Sequence, residues 1–439
     1  MTSLRGLADS ARAYLPPEPF ARWAAVFFTL SVWTLLISLA ATQAFLALSS
    51  LCYVVHLIRE KPARGNCKIS FPPIKIPLAI FCVWTFFSML FAEDPAAGGF
   101  VARKLILFVI LLVAVNVIRS LRHLEFLFFG IFVEAGLAGL LGAIQFTAQY
   151  LHVSALNPQR VFQTMMLTRI TGFMGHWMNF SGQQMMAFTS LAALLIAALA
   201  RGKDSEPEIP NWRAAGWILI APIGLSIFLS FTRGVWLGCF VGAVYLLARR
   251  FPRWLWIVPV IVVAGYFVSP RMIHERVNQA LHPSSDKSLS MRFEMWNAGL
   301  KMIERHPWVG VGPNNIFAVY PLYLPPGKTP QIGYHEHLHS DFIQLAAERG
   351  LPCLLAWVWL MAALGWHTLR IRGRLTALPR AKWILDAAFA SWLAFVAEGL
   401  FEFNFGTSPV LMVFLFIIST PFVVEALEQS AGELRREAA

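Results

Sequence analysis

The chain has 439 residues, 57% of them hydrophobic and 14% charged, with a mean hydropathy of +0.60 and a formal net charge of +12. So few charges exclude an ordinary soluble globular domain, whereas lipid-facing surface removes the need for them. The basic residues are spread over many short segments and not gathered on one soluble face, which argues against nucleic acid as a partner.

The first 20 residues are polar and mildly amphipathic, with no basic region leading into a short apolar core, so they do not read as a cleavable signal peptide. Apolar runs long enough to cross a bilayer, about 17 to 25 residues each, then recur along almost the whole length. Twelve spans are expected, near residues 21–38, 41–58, 76–92, 104–118, 124–149, 176–200, 214–230, 234–248, 254–270, 350–369, 383–402 and 409–427. The fold class is therefore an all-α polytopic membrane protein. It divides into a segment 1–20, spans over 21–270, a loop domain 271–349, three more spans over 350–427 and a tail 428–439.

Orientation follows from the basic residues. With the N-terminus inside, 23 of the 36 Lys and Arg fall in cytoplasmic connections, and eight of the other 13 lie in the 271–349 loop, which translocates regardless of charge. Both termini are then cytoplasmic and the long loop faces the exterior. The five cysteines lie in spans or on the cytoplasmic side, so no disulfide framework is indicated.

Residues 271–349 carry most of the polar weight. A helix is expected near 290–305, then the turn "HPWVGVGPNN", a Pro-rich stretch, and a second helix from Ser340 to Arg349. Ser340 suits the N-cap, Gly350 the position after the helix end, and Pro352 the start of the next span. "GVGPNN" is not a nucleotide loop. It follows a helix, no strand precedes it and no Lys-Ser/Thr follows it, so it reads as a glycine turn. The aromatic residues Trp308, Phe317, Tyr320 and Tyr323 offer flat surfaces for sugar stacking.

In "YHEHLHSDF" the histidines His335, His337 and His339 alternate with other residues. As metal ligands they lack the separated partners of a zinc site, with no HExxH or Cys/His pair. They also suit a solvated loop or polar vestibule. A third reading rests on position: at a helix start the macrodipole disfavours the imidazolium at His339, leaving a neutral imidazole fit to act as a general base. His337 orients His339 or a bound acceptor, or is a structural loop histidine. Asp341, Gln344 and Glu348 form a polar stripe on that helix, read as a solvated face or a sugar-binding edge.

A second constellation is a set of outer-side arginines: Arg233 in "FTRGVWLG", Arg169 in "TRITGFMGHW" and Arg292 in "SMRFEMWNAG", with Arg103 and Arg160 as further candidates. Lipid-facing arginines snorkel to headgroups. Several on one side, with few carboxylates between them, suit a diphosphate, whose oxygens guanidinium forks bind without a divalent cation. Glu134, Glu398 and Glu402 are the main ionisable residues away from this outer cluster.

His339-Ser340, nine residues, then Gly350, after a long loop with an Arg-bearing helix and "HPWVGVGPNN", and preceded by "TRGVWLG", together resemble the O-antigen ligase and polymerase superfamily. The likeness is greatest to the O-antigen ligases of Gram-negative bacteria (the WaaL type). It covers the whole topology, but its specific part lies in residues 169–183, 231–238 and 290–353, and Cys353 stands where many members have a second glycine. The resemblance implies a GT-C-like inner-membrane glycosyltransferase without cofactor or metal. It would move a glycan from undecaprenyl diphosphate to a sugar hydroxyl of lipid A–core, with membrane lipid around it. His339 would be the base, and Arg233, Arg292 and Arg169 would hold the diphosphate. An O-antigen polymerase and a protein O-oligosaccharyltransferase share this logic. A transporter is the alternative from another class, although internal repeats and mid-membrane charges, its usual marks, are not what stands out here.

Overall fold

The computed structural model describes residues 16–64, 69–199, 213–269, 271–281, 287–330 and 336–437, and among these it contains helices and connections but no strand. In chain order the helices are α1 (Pro19–Val32), α2 (Leu39–Arg64), α3 (Lys75–Met89) and α4 (Pro95–Lys104). A 3-10 turn at Leu105–Phe108 leads from α4 into α5 (Val109–Val117). There follow α6 (Leu121–Leu156), α7 (Val161–Leu167), α8 (Trp177–Leu199), α9 (Arg213–Leu229), α10 (Arg233–Arg250) and α11 (Ile257–Val268). The last six are α12 (Arg271–Leu281), α13 (Lys287–Arg305), α14 (Ile316–Val319), α15 (Asp341–Arg374), α16 (Lys382–Gly399) and α17 (Ser408–Glu437).

Each of the twelve apolar runs overlaps at least one of these helices, although run 21–38 ends in a turn and run 104–118 is split by the 3-10 turn. Among the described residues six helical stretches are long and apolar enough to cross a membrane: in α2, across α4 and α5, and in α6, α8, α15 and α17; α1, α3 and α9 are shorter apolar helices. The chain is an all-α polytopic membrane protein.

At its centre α16 packs against α8, α10, α15 and α17. A stripe of small residues on α10 permits this approach. A Cβ at Gly238 would come within 2.8 Å of the Ala394 carbonyl oxygen, and one at Gly242 within 3.2 Å of that of Ala390. Close backbone contact of this kind is how helices associate where lipid competes with side chains for apolar contact.

Polar groups inside the bundle have specific partners. The α1–α2 hairpin turns at residues 33–38, where the Leu36 N–H donates to Glu134 (3.1 Å) and the Leu35 carbonyl accepts from Gln183 (2.9 Å). Irregular backbone away from water needs such partners, so Glu134 is accounted for structurally. At the opposite end of α16 from its Gly399 terminus, Arg250 and Arg372 pair with the buried Asp386, and Arg380 grips Glu125 through two bonds of 2.9 and 2.8 Å.

Residues of the 271–349 region build a second, smaller core. Met295, Met302, Ile316, Val319, Tyr320, Tyr323 and Leu338 are buried together with Ala347 of α15. Tyr320 and Tyr323 are therefore core residues and not sugar platforms, while Phe317 and Trp308 stay exposed.

Ser340 is the N-cap of α15, its hydroxyl accepting from the Ile343 N–H, and the helix breaks at Gly350 (φ 81°, ψ 168°) before continuing from Leu351. The "HPWVGVGPNN" turn docks on this break. Val311 and Gly312 donate to the carbonyls of Ala347 and Glu348 (both 2.9 Å), and Leu351 donates to that of Pro307 (2.8 Å). Only glycine reaches that backbone conformation without strain, and a Cβ there would collide with the Trp308 carbonyl oxygen. Gly350→Ala is expected to destabilise the protein by about 2 kcal/mol or more. The check is thermal unfolding in detergent; an unchanged midpoint would contradict this account of the break.

Candidate functional site

The site lies where α8, α10, α15 and α17 begin and α16 ends. His339 immediately precedes the N-cap of α15, in the left-handed region (φ 48°). Non-glycine residues adopt that region rarely, so the surrounding contacts must hold it there. They do so on both flanks. The Gln344 side chain accepts from the Leu338 N–H (2.7 Å), and the Gln344 N–H bonds the Ser340 carbonyl (2.9 Å).

The imidazole itself meets the 400–407 connection. His339 Nδ1 lies 2.9 Å from Glu402 Oε1, and Arg292 Nη2 of α13 lies 3.1 Å from Glu402 Oε2. One buried carboxylate thus bridges the histidine and an arginine. Its bond from a guanidinium keeps it ionised and acceptor-only, so Nδ1 is the donor, and in the neutral imidazole Nε2 carries the lone pair.

Around Glu402 the arginines converge. Arg169, Arg233, Arg276 and Arg292 line one small pocket, together with Glu398, Glu402, Phe401, Met178, Thr232 and Ser288. Each is set by a different element. Arg233 opens α10 after Thr232, Arg276 rises from α12 and bonds the Phe231 carbonyl (3.3 Å), and Arg169 lies over the Trp177 ring at 5.2 Å. Arg103 and Arg160 are exposed and line neither this pocket nor the next.

A larger cavity of about 680 Å³ flanks the other side of the 400–407 connection. Phe100, Val101, Leu105, Phe108, Phe317, Phe403 and Leu411 supply apolar walls, and Lys104, Asn179, Asn314, Glu336, His337, Glu348 and Arg349 supply polar ones. The His337 ring sits 5.5 Å from that of Phe403, centroid to centroid. Burial pushes its imidazole below the ordinary histidine pKa, so it is neutral at neutral pH. His335 lies outside the described residues. Among the described residues no three His, Cys, Asp or Glu side chains form a ligand set for a metal ion.

The stripe Asp341, Gln344 and Glu348 is not a solvated face, and of the three only Glu348 reaches the larger cavity. All three are buried, and each holds backbone: Asp341 accepts from the Phe405 N–H (3.1 Å), Gln344 from that of Leu338, and Glu348 from that of Asn314 (3.0 Å). They tie the loops of the site together. Glu398 and Glu402 are likewise not remote from the arginines, because α16 ends at Gly399 and delivers both into the arginine pocket. Arg276 and Glu402 were the residues hardest to find. Arg276 is one basic residue of an amphipathic loop helix, and Glu402 is 63 residues from its histidine.

No curated protein matches the chain. Residues 216–358 match the family model described as O-antigen ligase, a segment that contains Arg233, Arg276, Arg292, His337 and His339. By that match, the segment that carries the histidine and three of the four arginines is similar to the O-antigen ligase family, which supports a place for the chain in that superfamily.

Proposed function

We propose that the protein is an O-antigen ligase of the inner membrane, which transfers a glycan from undecaprenyl diphosphate to a sugar hydroxyl of lipid A–core. The observation that carries this reading is the Glu402 bridge, with His339 on one oxygen and Arg292 on the other, at the rim of a pocket lined by three further arginines.

In this reading the diphosphate of the donor lies among Arg233, Arg276 and Arg292, with Arg169 at the edge. Fixed guanidinium groups stabilise the charge that develops as the C1–O bond breaks. His339 Nε2 takes the proton of the acceptor hydroxyl as it attacks the anomeric carbon. Glu402 holds the imidazole in the required tautomer and stabilises the imidazolium that forms. The acceptor approaches from the larger cavity, where His337 and Phe403 face it. A single displacement inverts the anomeric centre, and the guanidinium groups do the work a metal ion would do at a diphosphate. In this reading both termini are cytoplasmic and the 271–349 loop domain is periplasmic, which the bias of basic residues supports.

Glu402 is a positioning residue. Glu402→Gln should lower kcat about tenfold or more, less than removal of the base, which is worth about 10²–10⁴. KM for the donor should change little. A fall in kcat/KM caused by KM alone would show that Glu402 only shapes the binding pocket.

The function itself is tested by reconstituting the purified protein with a lipid-linked glycan and lipid A–core in EDTA. Transfer to lipid A–core is the expected result. Lengthening of the glycan on its lipid carrier would make the protein a polymerase, and movement of the lipid with no new glycosidic bond would make it a transporter.

A further inference from the structure

The arginine pocket contains a carboxyl that base catalysis and phosphate binding leave without a role. Glu398, in the last turn of α16, is completely buried, lines the pocket, and makes no hydrogen bond to the described residues through either oxygen. Glu402 differs: it is buried too, but both its oxygens are engaged. A carboxylate with neither oxygen satisfied is a costly thing to bury, so such a group is held neutral or awaits a ligand that supplies its partner.

Its surroundings favour both. Asp341 from α15 and the ionised Glu402 from the 400–407 connection lie within electrostatic reach, as do Arg292 from α13 and Cys239 from α10, and the Asn404 amide lies beside it. Arg233, Arg276 and Arg169 line the same pocket. Two neighbouring carboxyls disfavour a further negative charge, while the arginines draw the diphosphate to the one carboxyl able to give it a proton. Gly234 leaves room for it, since a Cβ there would come within 3.3 Å of Glu398 Cγ.

Resting on the ligase reading above, we infer that Glu398 is the proton donor to the leaving diphosphate. The acceptor hydroxyl loses its proton to His339 Nε2 and forms the new bond to the anomeric carbon. The electron pair of the breaking C1–O bond passes to the β-phosphate oxygen, which takes the Glu398 proton. Once the products leave, the His339 imidazolium releases its Nε2 proton to solvent and the Glu398 carboxylate takes one up from solvent, while Glu402 stays ionised and keeps the Nδ1 proton in place. The site thus returns to its starting charge.

The test compares wild type, Glu398→Gln and His339→Ala in the reconstituted transfer assay across pH, with binding of undecaprenyl diphosphate measured alongside. Gln matches the neutral carboxyl in size and cannot give up a proton. Glu398→Gln should lose about tenfold to a hundredfold in kcat, bind undecaprenyl diphosphate normally, and lose the decline of kcat at high pH that ionisation of a proton donor imposes. Activity within about threefold of wild type with that decline intact would overturn the inference, as would loss of undecaprenyl diphosphate binding in Glu398→Gln. In either case an inactive His339→Ala leaves the ligase reading standing, whereas an active His339→Ala removes that reading first.

Discussion

His339→Ala abolishes glycan transfer, with a loss of about 10²–10⁴-fold or more, while undecaprenyl diphosphate still binds. The imidazole is the group left with a second nitrogen, Nε2, to take the proton once Glu402 holds Nδ1 at 2.9 Å. The arginines that hold the diphosphate belong to other elements and do not depend on it. Because residue 339 sits at φ 48°, alanine adds backbone strain of its own. His339→Asn separates the two effects, since asparagine tolerates the left-handed region and supplies no base. Equal loss in both variants is the expected result, read as single-turnover rate beside a binding isotherm. Near-normal turnover in His339→Asn would remove the base from the mechanism.

Arg292→Ala damages both binding and turnover. It takes one guanidinium from the diphosphate and leaves Glu402 with His339 and the Phe403 N–H, so the position of the base loosens as the phosphate site weakens. The expected fall in kcat is about 10²–10³, with a clear rise in KM for the lipid donor. Arg292→Lys should recover only part of it, because an ammonium cannot reach Glu402 and a phosphate oxygen with the same fork. Full recovery by lysine would mean that residue 292 supplies charge alone.

What the sequence made legible follows from which physical constraint is local. The bilayer fixes span length, so twelve apolar runs could be read and each overlaps a helix, although only six helical stretches among the described residues are long and apolar enough to cross. Capping is also local: Ser340 and Gly350 stand where the helix starts and breaks. Periodicity told that Asp341, Gln344 and Glu348 share a face, but not that this face is turned inward to hold the backbone of Leu338, Asn314 and Phe405. Tyr320 and Tyr323 looked like an aromatic surface because a loop core of this size has no periodic signature.

The arginines show the same division. Charge type and side of the membrane suggested Arg169, Arg233 and Arg292, and all three line one pocket. Arg276 and Glu402 are brought there by packing between distant segments, which no spacing in the chain encodes. Glu398 and Glu402 looked like mid-membrane charges because their run is apolar up to its end; the helix stops at Gly399, and that stop turns them into the site.

A structure with undecaprenyl diphosphate bound tests the account where it is most exposed, because two pockets compete for the ligand. The account predicts the diphosphate among Arg233, Arg276 and Arg292, with the terminal phosphate about one sugar's width from His339. Diphosphate bound instead beside Lys104 and Arg349, across the 400–407 connection, would contradict it.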